Sequence, residues 1–160
     1  MKVYKELANA WNNRGENCVT VFNEGGSRSA KTIDTFLFLI DLCLVSSVPL
    51  LIYVFRDTLE LCREKTYQDD FLLAANLRSE FLAGTMVISQ ENQKPTVRIG
   101  KCTIRFRGLD KTDKKEGFPS DIMFFNELLS GVGKEQFDSV TMRCARLIIV
   151  TGKQIGRAHV

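Results

Sequence analysis

Histidine is all but missing from this chain: His159 is the only one among 160 residues, and it lies at the very end. A Cys/His zinc site therefore has too few ligands, and a Cys/His nucleophile pair has no base in the body of the chain. Paired cysteine motifs are missing too. Cys18, Cys43, Cys62, Cys102 and Cys144 form no C-x-x-C, and their odd number and apolar surroundings read as free, partly buried thiols in a reducing compartment. Charge imbalance is slight, +3 overall, which permits contact with nucleic acid without arguing for it. The first ten residues, MKVYKELANA, are too charged and polar for a secretory leader, and there are no internal repeats or low-complexity stretches. Thr35–Phe55 is apolar and about long enough to span a bilayer. Asp41 in its middle and the turn-like Ser46–Ser47–Val48–Pro49 instead divide it into a buried helix and a buried strand.

What is present is the composition of a globular protein, 44% apolar and 26% charged. The length fits one domain with a real core. Residues 1–16 read as a polar, partly helical lead-in, followed by a first strand over 18–23 and a helix over 31–45. The continuous apolar run Leu50–Phe55 predicts a strand covered on both faces, parallel to the first. A helical region over 58–82 is opened by Asp57 or Thr58 as N-cap and turns Leu59, Cys62, Tyr67, Phe71 and Leu72 inward. A short strand over 85–89, a polar turn over 90–95 and an alternating stretch over 96–106 predict a hairpin or small meander. After a charged loop over 108–120 come a buried strand over 121–126, an amphipathic helix over 135–145 with Phe137, Val140 and Met142 inward, and a last strand over 147–150. Strands and helices alternate, which predicts an α/β sandwich.

The stretch between the first strand and the long helix, Glu24–Thr32, reads EGGSRSAKT. Strand, glycine-rich turn, then a helix opening on Lys-Thr is the layout of a phosphate-binding loop. Gly25 and Gly26 let successive N–H groups turn toward phosphate oxygens. Lys31 adds a charge for the outer phosphates, Thr32 offers a hydroxyl to magnesium, and the helix presents its positive end to the same anion. Ala30 stands where the usual pattern has glycine, so a Gly/Ser-rich turn that merely caps a helix is the competing reading. A nucleotide hydrolase also needs a group to orient water and a group to steady the metal, at the carboxyl end of a neighbouring buried strand. DIMFFNE, Asp121–Glu127, supplies four apolar residues and then Asn126 and Glu127. Glu127 is the candidate base. Asn126 stands where an aspartate usually holds the magnesium through water, keeping the shape and losing the charge. An ordinary core strand ending in polar residues is the alternative.

Four stretches together resemble the ATPase domain of the large terminase subunit, the DNA-packaging motor of tailed bacteriophages. They are EGGSRSAKT, YVFRDTLELCREKTY, IRFRGLDKTDKKEGFPSDIMFFNE and FDSVTMRCARLIIVTG. The resemblance implies a P-loop NTPase three-layer sandwich with a mainly parallel central sheet, truncated at its C-terminal side. It implies that Gly25, Gly26, Ser27, Arg28, Ser29, Ala30, Lys31 and Thr32 bind ATP. Lys31 and the mid-loop Arg28 would stabilise the γ-phosphate, Thr32 and Asn126 would serve magnesium, and Glu127 would be catalytic. Thr151 and Gly152 would begin the motif that couples hydrolysis to movement. Expected partners of the full protein are double-stranded viral DNA, the portal protein, the small terminase subunit and further copies in a ring, without a membrane. Its place would be the host cytoplasm and, transiently, the procapsid portal.

Two other readings stay open: another P-loop motor such as a helicase, or a DNA- or portal-binding module with a degenerate nucleotide site. Arg105, Arg107, Lys111, Lys114 and Lys115 form a basic cluster that either meets DNA phosphates or is simply solvated. Arg56 either touches the ligand or is a helix-entry residue, and Trp11 either stacks on a base or packs into the core. The tail IGRAHV matches the translation of ATC GGA AGA GCA CAC GTC, which looks like a sequencing adaptor. We therefore expect a partial ATPase domain over 1–153, a non-native tail over 154–160, and no nuclease domain in this chain.

Overall fold

The computed structural model describes residues 2–23, 28–91, 93–111, 118–128 and 133–152. An opening helix, α1 (Lys2–Asn13), leads into strand β1 (Val19–Asn23) and the long helix α2 (Arg28–Val45). Strand β2 (Leu51–Arg56) follows, then a helical run: α3 (Leu59–Leu61), a π-helix (Cys62–Phe71), α4 (Leu72–Leu77) and α5 (Ser79–Leu82). Strands β3 (Met86–Glu91), β4 (Lys94–Ile99) and β5 (Cys102–Gly108) form a meander. Strand β6 (Ser120–Phe125), helix α6 (Lys134–Thr141) and strand β7 (Cys144–Thr151) complete the described chain.

The seven strands make one sheet in the order β1-β7-β6-β2-β5-β4-β3. The five from β1 to β5 in that order are parallel; β4 runs antiparallel to β5, and β3 antiparallel to β4. The expected parallel relation of β1 and β2 holds, although β7 and β6 lie between them. Both faces of the parallel strands are apolar, as continuous runs require. On one face Ile52, Val54, Ile122, Phe124, Leu147 and Ile149 meet Leu7, Phe36, Leu39, Ile40, Phe71 and Ala74 from the helices. On the other, Tyr53, Phe55, Met123, Phe125, Ile148 and Val150 meet Leu128, Phe137 and Val140. This is an α/β three-layer sandwich with a mainly parallel sheet. Phe36 is its aromatic hub, with ring centroids 5.3–6.1 Å from Phe71, Phe106 and Phe124.

Thr58 is the N-cap of α3, its Oγ1 accepting from Leu61 N at 3.1 Å. The helical run is not a uniform α-helix. Nine residues are about two and a half turns at 3.6 per turn, which would put Phe71 opposite Cys62. The i→i+5 bonding of the π segment widens the turn, and Cys62, Thr66, Tyr67 and Phe71 are all buried.

Asp41 sits mid-helix because it has two partners: Tyr4 donates to it at 2.6 Å and Arg78 bridges it at 2.7 Å. Burial first, and then Asp41, pushes the Tyr4 phenol up to about 12. No helix among the described residues is long and apolar enough to cross a membrane.

Several local expectations need correction. The polar turn expected over 90–95 is confined to the tip, because β3 and β4 pair from Met86↔Ile99 out to Glu91↔Lys94. The single stretch over 96–106 is two strands, separated where Gly100 adopts φ +58°. Met142 is exposed rather than inward: it follows the end of α6 at Thr141, and its spacing of two from Val140 puts it off that residue's face. The five cysteines are free, and all but Cys18 are buried.

Candidate nucleotide site

The parallel strands β1, β7, β6 and β2 end at the same edge of the sheet, and that edge collects a buried polar network. Asn126 follows β6 directly and extends its ladder, donating its backbone N–H to Phe55 O at 2.9 Å. Its side chain is wholly buried. Oδ1 accepts from Thr32 Oγ1 at 3.0 Å and from Thr151 Oγ1 at 3.2 Å. Nδ2 donates to Thr66 Oγ1 at 2.9 Å, which also accepts from Arg56 Nη1 at 3.2 Å. Thr32, Thr66 and Thr151 are 0% exposed and Arg56 is 4% exposed. Buried polar groups cost stability unless paired, and these five pair with one another across α2, the π-helix and the ends of β2, β6 and β7.

The expected site residues distribute as follows. Gly25, Gly26 and Ser27 lie outside the described residues, as do the side chains of Arg28 and Ser29. The backbone of Arg28 opens α2, three residues earlier than expected. Ala30 lies within that helix and is exposed. Alanine is favoured over glycine by about 1 kcal/mol in a helix, so the departure from the usual letter is compatible with this local structure. Lys31 is half-buried, with its carbonyl accepting from Thr35 Oγ1 at 2.8 Å. Thr32 and Asn126, 94 positions apart in sequence, are in direct contact.

Glu127 stands just outside the network. Its φ of +49° is the left-handed conformation, a costly one for a residue with a side chain. The end of β7 holds it there: Glu127 N donates to Thr151 Oγ1 at 3.3 Å. Gly152 is needed beside it. A Cβ at Gly152 would lie 3.0 Å from Glu127 Cα, and its φ of +86° favours glycine. Thr151 thus touches both Asn126 and Glu127, and Gly152 lies against Glu127.

Two residues escaped the reading of the sequence. Thr66 lies in the polar stretch REKTYQDD and gives no motif signal, although a threonine beside core positions Cys62 and Tyr67 implies a buried partner. Asn23, the last residue of β1, is 7% exposed, and its Nδ2 has no hydrogen-bond partner among the described residues. Cys62, one turn before Thr66, is wholly buried, and burial pushes its thiol up to about 12.

Other candidates have structural explanations. Gly108 admits the start of α3, because a Cβ there would fall 2.0 Å from Leu59 N, and Asp110 Oδ1 accepts from that same N–H at 3.1 Å. FRGLD is therefore a packing and capping device. Arg105 donates to Tyr53 OH at 3.1 Å and Arg107 to Phe106 O at 3.0 Å. Lys114, Lys115 and the Lys111 side chain lie outside the described residues. Trp11 packs against the core and carries the Arg14 guanidinium 3.7 Å above its ring. Arg56 is a buried member of the network, not a surface contact.

The strand that brings Asn126 and Glu127 is not next to β1. Strand β7 intervenes, which is why Thr151 can bridge to Asn126.

A scan against protein-family models finds no match, and neither does a search of curated proteins. Solved structures do match. The large terminase of a thermophilic bacteriophage in complex with ADP is similar at a TM-score of 0.64 and 15% identity, over 94% of this chain and 38% of that one. The HK97 bacteriophage large terminase is similar at 0.62 and 15% identity, over 92% of this chain and 32% of that one. A variant of a Thermus phage large terminase ATPase domain is similar at 0.51 and 12% identity, over 94% and 64%. The chain spans less than two thirds of the length of these proteins, and its fold is the fold of phage large terminases.

Proposed function

We propose that this chain binds and hydrolyses ATP as the motor part of a phage large terminase. The observation that carries the reading is the contact of Thr32 with Asn126, with Glu127 and Thr151 joined to the same knot. In this reading Lys31, Arg28 and the amides at the start of α2 hold the phosphates. Glu127 takes or orients a proton of the attacking water, and its proximity to Gly152 ties it to the end of β7.

The residues fit magnesium as a further component. Such an ion keeps several waters and phosphate ligands and asks the protein for few, hard oxygens. Thr32 would hold it. Asn126 Oδ1 is already taken by two hydroxyl protons, so its part is to accept the Thr32 proton and hold that hydroxyl in place. When bound, the ion neutralises charge on the phosphate oxygens.

Hydrolysis would drive viral double-stranded DNA through a portal, in a protein that works with a small terminase subunit and as a ring of copies in the host cytoplasm. The neutral Asn126 favours a second reading, a DNA- or portal-binding module with a degenerate nucleotide site. ATP turnover by the protein, lost by about 100-fold or more in Glu127→Ala with ATP binding retained, supports the motor. Tight ATP binding without turnover in the parent supports the module, and absence of ATP binding overturns the motor.

A further inference from the structure

Behind Asn126, on the side away from Thr32, the structure places two residues that no motif demands. A carboxylate has two equivalent oxygens and needs only donors around it. A carboxamide has unlike ends, one accepting and one donating. At this buried position each end must meet its complement, or a polar group is stranded. The Oδ1 end has Thr32 and Thr151. Glu127 N occupies a lone pair of Thr151, which leaves the Thr151 proton for Oδ1. The Nδ2 end has Thr66 at 2.9 Å, and the same Thr66 oxygen is held by the guanidinium of Arg56 at 3.2 Å. Both are nine-tenths or more buried. Both are linked to Thr32 through Asn126.

We propose that Arg56 and Thr66 are positioning residues for the nucleotide chemistry. Arg56 fixes the Thr66 hydroxyl, Thr66 accepts a proton of the Asn126 carboxamide, and the carboxamide is thereby held with Oδ1 against Thr32. The inference rests on the ATPase reading for its functional half and on the geometry alone for its structural half. It also accounts for the tolerance of a neutral residue here: orientation replaces charge as the means of holding Thr32.

The test has two arms. In the first, without nucleotide, the Asn126 side-chain amide is followed by 1H–15N NMR. Its protons are expected to be protected from solvent exchange in the parent and in Thr66→Ser, and to lose protection in Thr66→Val. In the second arm, Thr66→Val is expected to lower kcat for ATP by about tenfold with ADP affinity changed less than about threefold. Thr66→Ser restores kcat. A merely structural threonine would not move the kcat-to-affinity split. If Thr66→Val does not fold, Arg56→Met carries the same two measurements. Retained amide protection together with parental kcat overturns the pair and leaves the ATPase reading standing. A parent without turnover sinks the ATPase reading, and the amide arm still decides the pair.

Discussion

The two ends of strand β6 make an instructive comparison. At its amino end Asp121 accepts from Arg146 Nε at 3.0 Å and from Leu51 N at 2.8 Å, with side chains 23% and 39% exposed. At its carboxyl end Asn126 joins three threonines and, through one of them, an arginine, all essentially out of water. Both clusters close the same apolar strand, and both tie it to neighbouring elements. The first uses charges that water can share, so it tolerates loss. The second uses mostly neutral groups with no access to water, so every partner is needed. That contrast separates a polar residue that trims a sheet from one that belongs to a site. Asp41, with Tyr4 and Arg78, is of the first kind.

Three measurements press on the contrast beyond the loss of turnover expected for Glu127→Ala. The largest expected change in stability is for Asn126→Leu. It keeps the volume and leaves the hydroxyls of Thr32, Thr66 and Thr151 without their shared partner, and is expected to cost about 3 kcal/mol or more in urea denaturation. Asp121→Asn keeps an oxygen for Leu51 N and gives up only a half-exposed ion pair. Its expected cost is below about 1 kcal/mol, with turnover unchanged. If the two substitutions cost the same, the distinction between the ends of β6 fails. The smallest effect is in the Asp41 cluster. The folded state raises the Tyr4 phenol from 10.0 to about 12. Its stabilisation is therefore fully present below pH 10 and lost as pH rises toward 12. The difference in thermal midpoint between the protein and Tyr4→Phe should shrink over that window and stay flat below it.

Much of this was legible in the sequence. The runs LIYVF, IMFF and LIIV announce strands covered on both faces, and the order of EGGSRSAKT before DIMFFNE brings Thr32 and Asn126 to one edge. What was not legible is pairing. Nothing local in CARLIIVT states that it inserts between β1 and β6, because strand order is settled by which faces and connections can be packed together. Thr66 escapes the sequence because a threonine amid five charged neighbours reads as surface, although four residues from Cys62 puts it on that residue's face of an α-helix as well. Met142 is misplaced by its spacing: two residues after Val140 is about 200° round an α-helix, off the face of Phe137 and Val140.

The π-winding of residues 62–71 has a consequence for how this molecule tolerates change. The distance between Thr66 and Asn126 is set by how many residues make a turn, so the winding works as a vernier between the helical layer and the sheet. Losing one residue from this stretch would let it close into a tighter coil. Thr66 would then rotate away from the carboxamide, even if no residue named in the site had been altered. Length variation in this stretch is therefore as serious for the site as a substitution within it.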